Sequence, residues 1–177
     1  QPIQAFYGWV VEGIFQSADE VAKHAVQTAA TAPGDIKFAD LNGDKVIDAN
    51  DRQFMGSFIP KVSYGFTLGA NYKGFDASVF FQGVGGNEIY NATRVITEGM
   101  VRFFNAGTEV LNAWTPTNTN TNVPRAISAD PNQNARPSTR FLEDGSYLRM
   151  KNLMLGYNFG NTQLQSWTKN VVKNFRV

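Results

Sequence analysis

The 177-residue chain carries 16 Lys and Arg against 15 Asp and Glu, with a single His and no Cys. It is long enough for an ordinary domain with a core, its balanced charge leaves no basic footprint for nucleic acid, and the lack of Cys excludes disulfide scaffolds and thiol chemistry. No apolar run approaches the roughly twenty residues of a membrane helix. A membrane β-barrel stays open, because lipid-facing and lumen-facing residues alternate there and dilute the hydropathy signal. The chain starts at Gln1 with neither an initiator Met nor a signal peptide, and it is expected to be processed, excised or incomplete.

Phe6, Tyr7, Trp9, Val10 and Val11 mark residues 1–16 as a strand. The character then changes. Ser17, with Glu20 three residues on, has capping-box spacing and predicts a short helix within 17–31, which Pro33-Gly34 ends. An acidic segment follows at 40–51, and residues 17–61 read as one loop that holds both features, extracellular if the strands on either side belong to a membrane barrel.

Residues 62–85 are the clearest element. Val62, Tyr64, Phe66, Leu68, Ala70 and Tyr72 alternate with Ser63, Gly65, Thr67, Gly69 and Asn71, and a period of two places these sets on opposite faces of a strand. Lys73-Gly74 supplies a tight turn into the second strand. A soluble sandwich would coat its outer face with long charged side chains. Ser, Gly, Thr and Asn suit the wet lumen of an outer-membrane barrel instead, with Tyr64 and Tyr72 near the two lipid interfaces.

Residues 86–145 are rich in Asn, Thr and Pro and show little strand periodicity, as a long extracellular loop would. Strand character returns at 146–159, where Leu153, Leu155, Tyr157 and Phe159 share a face, and a further strand starts at 174–177. Arg149 and Lys151, in step with Tyr147, are expected at the outer interface, where long cationic side chains reach water. The expected fold class is all-β, with antiparallel strands and long loops. Three strands and parts of two others cannot close a barrel, so the chain is either not a barrel or a portion of a larger one.

The acidic segment DLNGDKVIDAND sets Asp40, Asn42, Asp44, Asp48 and Asp51 at positions 1, 3, 5, 9 and 12 of an EF-hand-type loop, with the Val46 carbonyl at position 7. Two residues depart from that pattern. Lys45 stands at position 6, where Gly allows the sharp turn, and Asp51 replaces the longer bidentate Glu. Two readings stay open: a structural Ca²⁺, or a loop held by Asx-turns with solvated carboxylates.

An enzyme is not expected, nor an organic cofactor. His24 falls on an expected surface helix of polar character and reads as a solvated side chain, and one His with no Cys excludes the common zinc sets. Glu143 and Asp144 are neighbours and would point to opposite faces of a strand, unlike a glycosidase pair. Gly83 to Gly86 resemble a phosphate loop, but no Gly-Lys-Ser/Thr follows. Substrate contact is expected within 86–145. There Tyr90, Arg94, Phe103, Phe104 and Trp114 could stack on sugar rings or peptide side chains, and the polar residues of 117–122 could hydrogen-bond. The competing reading packs these aromatics at the loop bases or in an interfacial girdle.

Five stretches carry a resemblance that runs nearly end to end: AFYGWVVEGIFQS (5–17), PGDIKFADLNGDKVIDANDRQFMGS (33–57), PKVSYGFTLGANYKGFDASVFFQGVGGNEIYN (60–91), WTPTNTNTNVPRA (114–126) and RFLEDGSYLRMKNLMLGY (140–157). In this order they resemble the C-terminal part of the SusC/RagA family of TonB-dependent outer-membrane transporters, typical of Bacteroidetes. The resemblance implies an outer-membrane barrel of about 22 strands, surrounded by lipid and plugged by an N-terminal domain. It implies import energised by TonB through a short N-terminal box. It also implies a SusD-like surface lipoprotein that lids the barrel and hands over oligosaccharides, the commoner class, or peptides. Plug, box and the first part of the barrel have no counterpart in these residues. The rival reading is a soluble calcium-stabilised β-rich carbohydrate-binding or adhesion module, against which the small polar face of 62–72 speaks.

Overall fold

The computed structural model describes residues 4–100, 105–159, 161–169, 171 and 175–177. Along these the strands are β1 Ala5–Trp9, β2 Val11–Ile14, β3 Ile36–Phe38, β4 Arg52–Ser57, β5 Val62–Tyr72, β6 Phe75–Gly85, β7 Glu88–Tyr90, β8 Leu142–Asp144, β9 Tyr147–Phe159 and β10 Phe175–Arg176. The α-helices are α1 Ala18–Lys23, α2 Ala92–Gly99 and α3 Asn161–Thr168. They fall into two units, Gln1–Ile59 with Glu88–Asp144, and Pro60–Asn87 with Gly145–Val177.

In the first unit the stretch expected as one strand over 1–16 is two. β1 pairs antiparallel with β4, whereas β2 pairs with β3. The switch falls where another segment docks: Trp9 N–H donates to the Pro137 carbonyl at 3.0 Å, and Val11 N–H to Thr139 Oγ1 at 3.0 Å. The Ser17 side chain accepts from Glu20 N–H and starts α1, while the Glu20 carboxylate accepts from Gln16 N–H at 2.7 Å. These bonds satisfy donors that a helix start leaves unpaired. Ile36, Phe38 and Ile47 form the buried core, with Trp9, Val11 and Ala25 packed against it.

Residues 86–145 contain more order than their composition predicts. β7 pairs with β8, Asn91 caps α2 by accepting from Arg94 N–H at 2.9 Å, and 3-10 turns form at Thr108–Asn112 and Thr139–Phe141. Polar side chains then stitch 123–138 onto 27–38. Arg125 forks onto Asp35 at 2.8 and 2.9 Å. Asn134 donates to Asp35 at 3.1 Å and accepts from Ile36 N–H at 2.9 Å and from the Asn132 amide at 2.8 Å. Asn132 accepts from Thr31 and Gln27. Asp35, Asn132 and Asn134 are buried, and each is hydrogen-bonded, as burial of a polar group requires.

The second unit is a four-stranded antiparallel sheet in the order β10-β9-β6-β5. β5 and β6 run in unbroken register from Val62 opposite Gly85 to Tyr72 opposite Phe75. Lys73 and Gly74 both have positive φ, 46° and 89°, the type I′ geometry whose twist matches that of the flanking strands. β9 carries a bulge: Phe80 faces Asn152 and Phe81 faces Met150, which leaves Lys151 as the extra residue.

Candidate functional site: a two-faced sheet and its loops

Register decides what each face of the sheet presents. One face gathers Val62, Tyr64, Phe66, Leu68, Ala70 and Tyr72 of β5. Phe75, Ala77, Val79 and Phe81 of β6 join them, with Leu148, Met150, Leu153, Leu155 and Tyr157 of β9. The other face carries the Ser, Gly, Thr and Asn of β5, then Asp76, Ser78, Phe80, Gln82 and Val84 of β6, and Tyr147, Arg149, Asn152, Met154 and Gly156 of β9. The apolar set is not covered: Leu68 is 58% exposed, Leu153 55% and Leu155 73%. A contiguous apolar surface of this kind marks a membrane or protein interaction. Eleven residues in each of β5 and β6 is the length of a tilted membrane strand. At the turn end the rings gather, with centroids 4.5 Å apart for Phe75–Tyr157, 4.9 Å for Tyr157–Phe159 and 5.8 Å for Phe159–Phe175.

The bulge keeps the two faces distinct. Strict alternation back from Leu155 and Leu153 would place Lys151, Arg149 and Tyr147 among the apolar residues. The extra residue at Lys151 reverses the parity, so Leu148 and Met150 continue the apolar face and Arg149 stands opposite Gln82. Arg149 thus shares a face with Tyr147, as its spacing predicts, but it is the polar face. Nearer the turn, Asp76 of β6 and Arg176 of β10 form an ion pair across β9. Gly156 makes room for it: a Cβ there would lie 2.7 Å from Asp76 Oδ1 and 3.0 Å from Arg176 Nε.

In the first unit, α2 borders an open cleft of about 770 Å³ lined by Asn91, Arg94, Glu98, Glu109, Asn122 and Glu143, among others. Buried Glu98 accepts from Arg94 Nε at 2.6 Å and pairs with Arg140, and Arg94 also donates to the Arg140 carbonyl at 3.1 Å. Burial draws the Arg140 guanidinium below its ordinary value, against the opposing pull of Glu98. Tyr90 packs against Phe6 and Phe141, with centroids at 6.0 and 6.2 Å, and burial raises its phenol pKa. Trp114 is buried, covers Gly34 and donates from Nε1 to Gln16 Oε1 at 2.9 Å. Of these three expected contact residues Arg94 lines the cleft, while Tyr90 and Trp114 face their own packing partners. Phe103 and Phe104 lie outside the described residues.

The acidic loop wraps on its own side chains. Asp40 accepts from Gly43 and Lys45 N–H at 2.7 and 2.9 Å. Asn42 accepts from Asp44 N–H at 2.9 Å, and Asp44 from Val46 N–H at 2.8 Å. Asp48 and Asp51 form a capping box on the 3-10 turn Ala49–Asp51, and buried Asp51 also accepts from Leu41 N–H at 3.0 Å. Lys45, at the position that favours Gly, adopts φ +66°. Among the described residues, no three His, Cys, Asp or Glu side chains are grouped so as to hold a metal ion.

The chain matches no family model, but individual proteins match along most of its length. It is 37% identical over 172 residues to TonB-dependent receptor P3 of Formosa agariphila, a match that covers 94% of the chain. It is 32% identical to TonB-dependent receptor P26 of the same organism over 89% of the chain. To TonB-dependent receptor SusC of Bacteroides thetaiotaomicron it is 30% identical over 73%. A solved structure of the RagAB peptide transporter superposes on 97% of the chain with a TM-score of 0.70 and 28% identity. The chain belongs to the SusC/RagA family of TonB-dependent transporters. It spans 16% of the length of receptors P3 and P26. These relatives are named as receptors and transporters, not enzymes.

Within this SusC/RagA chain, sequence reasoning missed the Glu98–Arg140 pair and the Asp35–Arg125 fork. Their members lie 42 and 90 residues apart, beyond any local pattern. The bulge was visible in principle: apolar residues occupy even positions at 148 and 150 but odd positions from 153.

Proposed function

We propose that this chain supplies wall strands and outer loops of a TonB-dependent importer in the bacterial outer membrane. The observation that carries the reading is the four-stranded sheet with one uncovered apolar face backed by a small polar one. It is the arrangement expected of a wall between lipid and a wet lumen. A second observation points the same way. Among the described residues β5 has no neighbour on its outer edge, and in hydrocarbon its backbone groups need one. A barrel of about 22 strands supplies that partner. The rival soluble module would have to leave the whole apolar face in water.

The cargo on this reading is an oligosaccharide or a peptide, delivered with a SusD-like surface lipoprotein and energised by TonB. The peptide-transporting relative supports the second cargo class. The test is uptake of labelled oligosaccharides and peptides by cells expressing the full-length protein, with and without collapse of the proton-motive force. Uptake of one class that stops on collapse is expected. Uptake that persists unchanged would refute the reading.

For the acidic loop we propose a structural Ca²⁺, supported by the order of its oxygen donors and by the Asx-turns that coil the backbone as a calcium loop is coiled. As placed, the carboxylates do not converge on one point. Calcium binding therefore requires Asp48 and Asp51 to turn from the N–H groups they now hold. A lowered melting temperature on adding chelator, abolished in Asp40→Ala with Asp44→Ala, is expected. An unchanged melting temperature in the wild type would leave Asx-turns as the loop's sole support.

A further inference from the structure

Toward its loop end, the polar face of the sheet departs from the small residues that β5 presents along it. Phe80 and Tyr147 stand there 36% and 37% exposed. The Arg149 guanidinium lies 4.6 Å from the centre of the Tyr147 ring and donates to its hydroxyl at 3.2 Å. Gln82 is opposite Arg149, and Lys151 together with Asn152 stands opposite Phe80. Among β5, β6, β9 and β10 the one carboxylate is Asp76, near the turn, and Arg176 takes it. The loop end thus concentrates two cations and two rings with no sheet carboxylate to neutralise them.

A bulge assembles this group. By reversing the parity of β9 at Lys151, it brings Tyr147 and Arg149 to the face of Phe80 and Gln82, a use of bulges found beside binding sites. The chemistry is specific in kind. A guanidinium fork binds carboxylate bidentately, an ammonium adds a point charge, and open rings offer stacking surface to a sugar or side chain.

We propose that Phe80, Gln82, Tyr147, Arg149 and Lys151 form a subsite for a carboxylate-bearing oligomer moving along the polar face. The inference rests on the reading of that face as the transport lumen. Uronic-acid glycans and acidic peptides share the required chemistry, and the experiment separates them.

The test uses the full-length transporter purified from outer membranes and two probes, an oligogalacturonate and an oligoglutamate, each paired with its neutral methyl ester. Wild type binds at least one acid about tenfold more tightly than its ester, a difference of about 1.4 kcal/mol. The preferred acid identifies the source. In Arg149→Gln with Lys151→Gln the preference falls to near unity, while Ser78→Ala on the same face retains it. Should the double variant fail to assemble, Arg149→Gln alone is read in the same way. Equal binding of acid and ester by the wild type, or a preference that survives the double variant, overturns the proposal. Heat-modifiable migration on gels keeps the two readings apart. A Leu155→Arg protein that assembles like the wild type counts against the membrane wall, whereas the acid-to-ester ratio reports on the subsite alone.

Discussion

In the sheet of β5, β6, β9 and β10, backbone groups pair with the neighbouring strand and the side chains are left for the surroundings. In the first unit the side chains take over much of the pairing. Asp35, Asn132, Asn134 and Gln27 accept from or donate to backbone and to one another where no strand lies alongside. One unit turns its apolar residues outward and the other buries polar ones. On the reading proposed for the sheet, the difference follows from solvent: a wall in hydrocarbon must satisfy its backbone internally and can expose Leu, whereas a loop region in water needs a fixed shape without a large apolar core. Polar networks provide such a shape only when every member is satisfied.

The largest effect is expected where that condition is broken. Arg125→Ala leaves the fully buried Asp35 carboxylate without its fork, a change that typically costs about 3–5 kcal/mol. Protease cleavage and hydrogen exchange within 123–138 should rise sharply in the full-length protein, while the sheet still assembles. If membrane assembly fails together with loop order, the two regions are not energetically separate and the contrast drawn above is wrong.

The complementary experiment breaks the sheet and spares the loops. Leu68→Arg places a charge on the apolar face, with an expected cost of about 2–4 kcal/mol near the bilayer midplane, whereas Thr67→Arg places the same charge on the polar face. Loss of heat-modifiable protein in the first and its retention in the second is the expected result. Equal tolerance would mean that the apolar face does not meet lipid.

These two regions also differ in how far they could be read in advance. The strands at 62–85 and 146–159 declare themselves because a period of two is local: each residue's face follows from its neighbours. Tyr64 to Tyr72 needed no knowledge of the partner strand. The network of Asp35 with Arg125 and Asn134 has no period, and its members are drawn together by a fold that local composition does not specify. Asn and Pro in 128–137 signal a loop equally well whether that loop is ordered or not. Trp114 illustrates the same limit. An aromatic residue among Asn and Thr suggests ligand contact, yet the ring is buried with its indole N–H on Gln16.

A smaller effect sharpens the comparison from within the sheet. Gly156→Ala drives a methyl group into the Asp76–Arg176 pair, and overpacking of this kind costs about 1–3 kcal/mol. The cost should fall in the double variant Gly156→Ala with Asp76→Ala, because the methyl group then meets no carboxylate. The coupling from a double-mutant cycle measures this. Additive losses would show that Gly156 serves something other than the ion pair.

The smallest effect belongs to the polar network and depends on pH. Burial raises the Asp130 pKa above its ordinary 3.8, repulsion from Asp35 adds to this, and hydrogen bonds from Ala135 and Asn134 N–H oppose it. The native state therefore holds a proton on Asp130 more readily than the unfolded chain does. By linkage, its contribution to stability is fully present below pH 3.8 and is lost as pH rises through the native value. Asp130→Asn removes this dependence but offers one carbonyl oxygen where two carboxylate oxygens now accept, so it weakens the turn by about 1 kcal/mol. Exchange of the Asn134 and Ala135 amides, followed upward from about pH 4, should accelerate beyond intrinsic chemistry in the wild type. In Asp130→Asn it should rise by a constant factor instead. Parallel profiles in both proteins would assign the local stability to the turn geometry, with the carboxyl proton playing no part.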